Sequence, residues 1–162
     1  MVAGSITHEC AVAVSAERLW KAAFAGDAAA LDRACAGLVD SVEVEGDGAP
    51  GSVTTMRLNP AAGVGVAAVF RNRLVSRDAA ARVVRTEVLE GGPVSAQLRT
   101  QVAEVALEDA GEGACVARVT VEYERLDGAP LAPEDQARLA QGYLGLIKKV
   151  EAYLVANPGE FA

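Results

Sequence analysis

The stretch EGDGAPGSV, Glu45 to Val53, carries four glycine or proline residues in nine positions. It suits either a phosphate cradle or the tip of a hairpin. A phosphate-binding loop follows a strand, and its glycines lead into a Lys–Ser/Thr pair that opens a helix. Here Ser52–Leu58 (SVTTMRL) continues with strand-like alternation, no lysine lies between Glu45 and Arg57, and Glu45 and Asp47 put negative charge where an anion would sit. The stretch reads as a glycine-rich hairpin tip whose glycines supply unusual backbone angles.

Working outward, apolar and polar residues alternate on both sides of this tip. The segments 38–45 (LVDSVEVE) and 52–59 (SVTTMRLN) flank it as strands. Further strands follow at 67–76 (AAVFRNRLVS), 81–90 (ARVVRTEVLE), 95–108 (SAQLRTQVAEVALE) and 114–126 (ACVARVTVEYERL). Arg77–Asp78, GGP and DAGEG punctuate them at hairpin spacing. Before the tip, 5–14 (SITHECAVAV) reads as a first strand. Ser15 then caps a short helix, AERLWKAAF, which Gly26 and Asp27 break, and AAALDRACA forms a second that Gly37 stops. The C-terminal 132–159 segment has Pro133 in its first turn, with Glu134 and Asp135 at its positive end. Its apolar residues Leu139, Tyr143, Leu146, Ile147, Val150 and Leu154 recur at three-and-four spacing. The expectation is an α+β fold: a seven-stranded antiparallel sheet with one long amphipathic helix across a face. Strong twist curls so large a sheet around the helix, and small side chains leave the space between them open to being hollow.

The composition narrows the function. The chain has 162 residues, which suits one domain over 1–162. It is 51% hydrophobic but only 4% aromatic, so an interior wall would be aliphatic. A net charge of −7 repels phosphate backbones and anionic membranes, so neither nucleic-acid binding nor membrane insertion is expected. The three cysteines, Cys10, Cys35 and Cys115, have no metal-ligand spacing and read as small buried hydrophobes. With no leader-like start or membrane-length apolar run, the expected location is the cytoplasm, with diffusion into the nucleus. His8 is the only histidine, which leaves a His-based triad or multi-histidine metal site unsupported. No cofactor is expected.

SVEVEGDGAPGSV, VLEGGPV and KKVEAYLVANP, in this order and at these separations, resemble the intracellular pathogenesis-related proteins of plants, the Bet v I family. The resemblance spans the chain and implies the helix-grip, START-like fold, with the sheet wrapped round the long C-terminal helix over an internal cavity. It implies binding of hydrophobic or amphipathic plant small molecules such as cytokinins, sterol-like hormones or flavonoids. The protein would act as carrier, store or sensor in defence or stress, as a monomer with a dimer left open. It also brings alternatives: alkaloid-forming enzymes, weak ribonucleases and abscisic acid receptors.

The family's register implies a cavity wall of Met56 and Leu58; Val84, Thr86 and Val88; Gln101, Ala103 and Val105; and Arg118 and Thr120. Phe24, Leu31, Leu139, Gly142, Tyr143 and Leu146 complete it from the helices. Ordinary core packing competes with ligand contact at each position. Arg118 is the sharpest case, because simple hydrophobicity turns Val119, Val121 and Tyr123 inward instead. An inward Arg118 would be an anchor for a ligand carboxylate or a partner of Glu122. Gly142 and Gly145 each cost about 1 kcal/mol against alanine in a helix interior, which points either to widening of the cavity or to close packing on the sheet.

The alternatives meet specific objections. The alkaloid-forming relatives place a lysine where Arg118 stands and a tyrosine on the preceding strand, yet 95–108 contains no tyrosine and arginine does not usefully deprotonate. Of the ribonuclease residues, only the pair matching Glu151 and Tyr153 is present. The receptor gate and latch motifs are absent from 59–65 and 90–94.

Overall fold

The computed structural model describes residues 3–59, 69–90, 97–126 and 131–161. Strand β1 (Ala3–Val12) leads into helix α1 (Ala16–Leu19), which continues as a π-helical turn over Trp20–Phe24, and then α2 (Ala28–Ala34). Six strands follow: β2 (Val39–Glu45), β3 (Val53–Leu58), β4 (Val69–Asp78), β5 (Val83–Glu90), β6 (Leu98–Asp109) and β7 (Cys115–Arg125). Helix α3 (Pro133–Ala156) closes the order. The α+β architecture read from the alternation is the one observed.

Among the described residues the seven strands form one sheet in the order β1-β7-β6-β5-β4-β3-β2, each neighbour antiparallel. From β2 to β7 each strand pairs with the next in sequence, and β1 pairs with β7 at the far edge. The period-two pattern sets which residues face inward. On β7, Cys115, Ala117, Val119, Val121 and Tyr123 are buried, while Arg118 and Glu122 are exposed. Opposite them, Gln101, Ala103, Val105 and Leu107 of β6 share the same face. The outer face carries arginine–glutamate pairs such as Arg73–Glu87, Arg85–Glu104 and Arg85–Glu122. These pairs are exposed, so they keep the face wet without adding much stability.

Local capping follows the sequence. Ser15 Oγ accepts from the Arg18 amide at 3.3 Å, and Asp27, expected only as a breaker, caps α2 by accepting from Ala30 N at 3.0 Å. The C-terminus of α3 is secured from a distance. Its last turn holds no basic residue, and the Arg18 guanidinium donates instead to the carbonyls of Leu154 (3.1 Å), Asn157 (3.1 Å) and Glu160 (3.0 Å). Lys148 Nζ donates to Ala11 O at 2.8 Å, and Glu151 Oε2 accepts from Ala13 N at 2.6 Å, so the helix is tied to the end of β1.

The Arg77–Asp78 separator is corrected. Strand β4 runs through both residues, and the turn comes at 79–82, where Arg82 has φ 55° and Asp78 Oδ1 accepts from Ala81 N at 3.0 Å. The β4–β5 register shifts between Leu74 and Ser76, so Val75 is the extra residue of a bulge and is 44% exposed. The bulge turns Arg77 to the side of Val84, its inward-facing partner on β5.

Candidate ligand-binding interior

The glycine-rich tip is built as a hairpin. Gly46, Gly48 and Gly51 have φ of 113°, 87° and 99°, a region that side chains rarely adopt. Its amides are consumed locally: Gly48 N donates to Ser52 Oγ and Ala49 N to Asp47 Oδ1, both at 3.0 Å. Gly51 N donates to Leu74 O at 2.8 Å and Ser52 N to Ala49 O at 3.0 Å. Amides so engaged do not converge on an anion. The inward-turned Arg77 fastens the tip to the short helices, donating through Nε to Phe24 O at 2.9 Å and through Nη1 to Gly48 O at 3.2 Å. Burial lowers the pKa of this guanidinium, yet an arginine keeps its charge far above neutral pH.

The space between sheet and helix has two unlike halves. Around β1, β7 and the C-terminal part of α3 it is solid: Val12, Val119, Val121, Ile147, Val150 and Leu154 are each at most 2% exposed. The closest approaches of α3 within the sheet are to β1 and β7. On the other half, Val39, Met56, Leu74 and Val84 are buried, but other inward positions of β2 to β5 stay partly accessible. Val42, Leu58, Phe70, Thr86 and Val88 are half-buried, as are Tyr143 and Leu146 of α3.

The expected wall residues divide accordingly. Leu58, Thr86, Val88, Leu31, Tyr143 and Leu146 line the accessible half, and Met56, Val84, Gln101, Ala103, Val105, Phe24 and Leu139 are buried beneath or beside it. The register Thr86↔Ala103 and Val84↔Val105 puts the β5 and β6 members on one face, as expected. The surroundings of Gly142 lie outside the described residues, as do most of 59–65 and 90–94. Phe70, Asn72 and Leu74 of β4 were not singled out from the sequence, although they alternate with Arg71, Arg73 and Val75 and could have been found by that signal.

Two expected members face the other way. Arg118 lies on the outer face, its side chain 48% exposed, with Nη2 at 3.7 Å from Glu9 of β1. Thr120 follows the same parity and meets Thr7 Oγ1 at 3.3 Å. Hydrophobicity decides the register: turning Arg118 inward would bury a cation and expose Val119 and Val121. Glu122 pairs with Arg85 instead. The inward end of β7 is Tyr123, whose ring fills the place a side chain at Gly4 would take: a Cβ there would meet its Cζ and Oη at 2.5 Å.

Tyr143 is the interior's distinctive polar group. Its ring meets Phe70 edge-on, with centroids 5.7 Å apart and planes at 87°. Its hydroxyl oxygen is buried out of reach of solvent. Burial dominates and raises the phenol's pKa well above its ordinary value, while a side-chain hydrogen bond with Thr86 favours the ionised phenolate. Gly145 is two residues, and so roughly 200° of helical turn, from Tyr143. A Cβ there would touch nothing within 4 Å, so close packing on the sheet does not explain it.

The remaining chemistry-bearing groups serve structure. Burial pushes Cys35 up to about 12 and Cys115 up to about 11, and raises Cys10 more modestly, which makes all three poor nucleophiles at neutral pH. Glu151 is spent on Ala13 and Lys148, and Tyr153 Oη lies 3.4 Å from Glu160. His8 is exposed on β1. Among the described residues no cluster of three or more His, Cys, Asp or Glu could hold a metal ion, and no helix is long and apolar enough to cross a membrane.

A curved seven-stranded sheet gripping a long helix, with this glycine-rich hairpin, matches the pathogenesis-related protein Bet v 1 family over residues 1–157. The chain belongs to the Bet v 1 family. This Bet v 1 member is 31% identical to pathogenesis-related protein 1 of Asparagus officinalis, over 98% of each chain. Among solved structures it is similar to Ara h 8.0201, with a TM-score of 0.77 and 20% identity, covering 96% of this chain and all of the other. It is also similar to norcoclaurine synthase of Thalictrum flavum in complex with dopamine and hydroxybenzaldehyde, with a TM-score of 0.69 and 22% identity over 96% and 88% of the two chains. At these identities the two structures show a common fold and no more.

Proposed function

We propose that the protein reversibly binds a hydrophobic or amphipathic plant small molecule in a hollow between α3 and the inner face of β2 to β6. It would serve as carrier, store or sensor in defence or stress. The observation that carries this reading is the half-exposure of side chains that point inward. Leu58, Phe70, Val88 and Leu146 face the interior, where a filled core would bury them as fully as it buries Val119 and Ile147. The pathogenesis-related relatives support the defence setting. A ligand that hides roughly 300 Å² of apolar surface gains about 7 kcal/mol before the costs of association, enough for useful affinity with few polar contacts.

The reading is of binding without turnover. The position that the resemblance aligns with the lysine of condensing relatives is Arg118, on the outer face and unable to reach an interior substrate. N-phenyl-1-naphthylamine, a neutral fluorescent apolar probe, tests the proposal. Its emission should rise saturably with the protein, and a cytokinin, flavonoid or sterol should reverse the rise. An emission that never saturates, or that no such compound reverses, defeats the reading.

A further inference from the structure

Resting on that reading of the interior, we propose that Arg125 anchors the carboxylate of an amphipathic acid whose apolar body lies along the accessible half of the wall. After Tyr123, the next inward position of β7 is Arg125. Its neighbours Glu124 and Leu126 turn outward: Glu124 Oε1 lies 3.8 Å from Arg99 Nη1, and Leu126 is 57% exposed. Arg125 pairs with Leu98 of β6, which packs against the core. The preceding inward pair on the same two strands is Tyr123 with Gln101, 6% and 4% exposed. The Arg125 Nε is closed to solvent, while the residue as a whole stays partly accessible.

Among the described residues, two arginines of the sheet follow the inward parity, Arg77 and Arg125, and they are differently placed. Arg77 shares a row with Val84, Val105 and Val119 and donates to the Phe24 and Gly48 carbonyls at the hairpin tip. Arg125 is six residues beyond Val119, about 20 Å further along β7. The row of Tyr123 and Gln101 leads to the accessible half. Glu87 pairs with Val102, the neighbour of Gln101, and Val88 pairs with Asn72 of β4. Val88 is therefore two strands, roughly 10 Å, from Tyr123, and Arg125 is about 7 Å past Tyr123 along the strand. One small molecule and the reach of an arginine side chain span that interval. An arginine keeps its charge at every physiological pH, so holding it partly out of water costs solvation that an arriving anion offsets. The two Nη groups form a fork that fits both oxygens of a carboxylate. A neutral ligand gains apolar burial alone, and an amphipathic acid gains both.

Displacement of N-phenyl-1-naphthylamine from the full-length protein at pH 7 by diphenylacetate, and by its neutral methyl ester, tests the anchor. In the parent protein the acid should compete within about tenfold of the ester, although water holds it far more strongly. Arg125→Gln should weaken the acid about tenfold, the lower end for a hydrogen bond to a charged group, and the ester less than about twofold. If a variant that still binds the probe shifts both compounds alike, or neither, the role of Arg125 is overturned while saturable probe binding leaves the hollow intact. An acid weaker than the ester by more than that tenfold in the parent protein overturns the anchor without any substitution, so a variant that fails to fold does not shield it. Absence of probe binding in the parent protein overturns the hollow and this inference with it.

Discussion

Leu146 and Ile147 are neighbours on α3 and sample the two halves of the interior. Ile147 is 0% exposed, so truncation to alanine removes packed methylenes and leaves a void in a dense region, at a cost of about 3–4 kcal/mol. Leu146 is half-buried. Part of its surface already meets open space, so roughly half of a leucine's transfer free energy is at stake and few packed neighbours lose contact. The expected cost is about 1–1.5 kcal/mol. The two single substitutions should therefore differ by about 2 kcal/mol although the residues are adjacent and both aliphatic. Urea denaturation at 25 °C measures this through the midpoints, provided the m values agree. If Leu146→Ala costs as much as Ile147→Ala, both near 3 kcal/mol, the interior is packed on both sides and the argument from half-exposure is wrong.

Other substitutions probe the corrected features. Arg118→Leu should change stability by less than about 0.5 kcal/mol, because its ion pair with Glu9 is exposed, and should leave affinity for acidic and neutral ligands alike unchanged; a loss of affinity for acidic ligands alone would return Arg118 to the interior. Gly145→Ala should raise the melting temperature by about 2–4 °C, since the new methyl meets nothing and helix propensity improves by about 1 kcal/mol; a fall in scanning calorimetry would mean the site is crowded. The buried thiols give a pH signature. Cys35 and Cys115 stay protonated when folded, to about 12 and about 11, while unfolded thiols ionise near 9. Their contribution is whole below pH 9 and shrinks as pH rises toward 11–12. Replacing both by alanine should flatten that alkaline decline in denaturation midpoints, and an unchanged slope would count against it.

The fold was legible because its determinants are local and periodic. Alternation in 95–108 and 114–126 marks β6 and β7, three-and-four spacing marks α3, and the glycines of 45–53 mark a tip that needs positive φ. What escaped depends on distant partners. Arg77–Asp78 resembles a turn separator, but a bulge after Leu74 carries Arg77 to carbonyls on the π-helical turn and the hairpin tip. Arg18 caps a helix whose last turn lies more than a hundred residues away, which no local pattern announces. Within the site, period two placed the β3, β5 and β6 members, and on β7 simple hydrophobicity gave the better register than the resemblance. The burial of the Tyr143 hydroxyl appears only once Phe70 and Thr86 are brought beside it.

Val88, half-buried on the inward face of β5, offers the most direct test of the hollow. In an open interior, Val88→Trp places its indole in free space, changes stability by less than about 0.5 kcal/mol and abolishes N-phenyl-1-naphthylamine binding. In a filled one the same side chain overpacks the core at a cost of about 2–3 kcal/mol. A destabilised variant that fluoresces with the probe no differently from the parent protein would contradict the account.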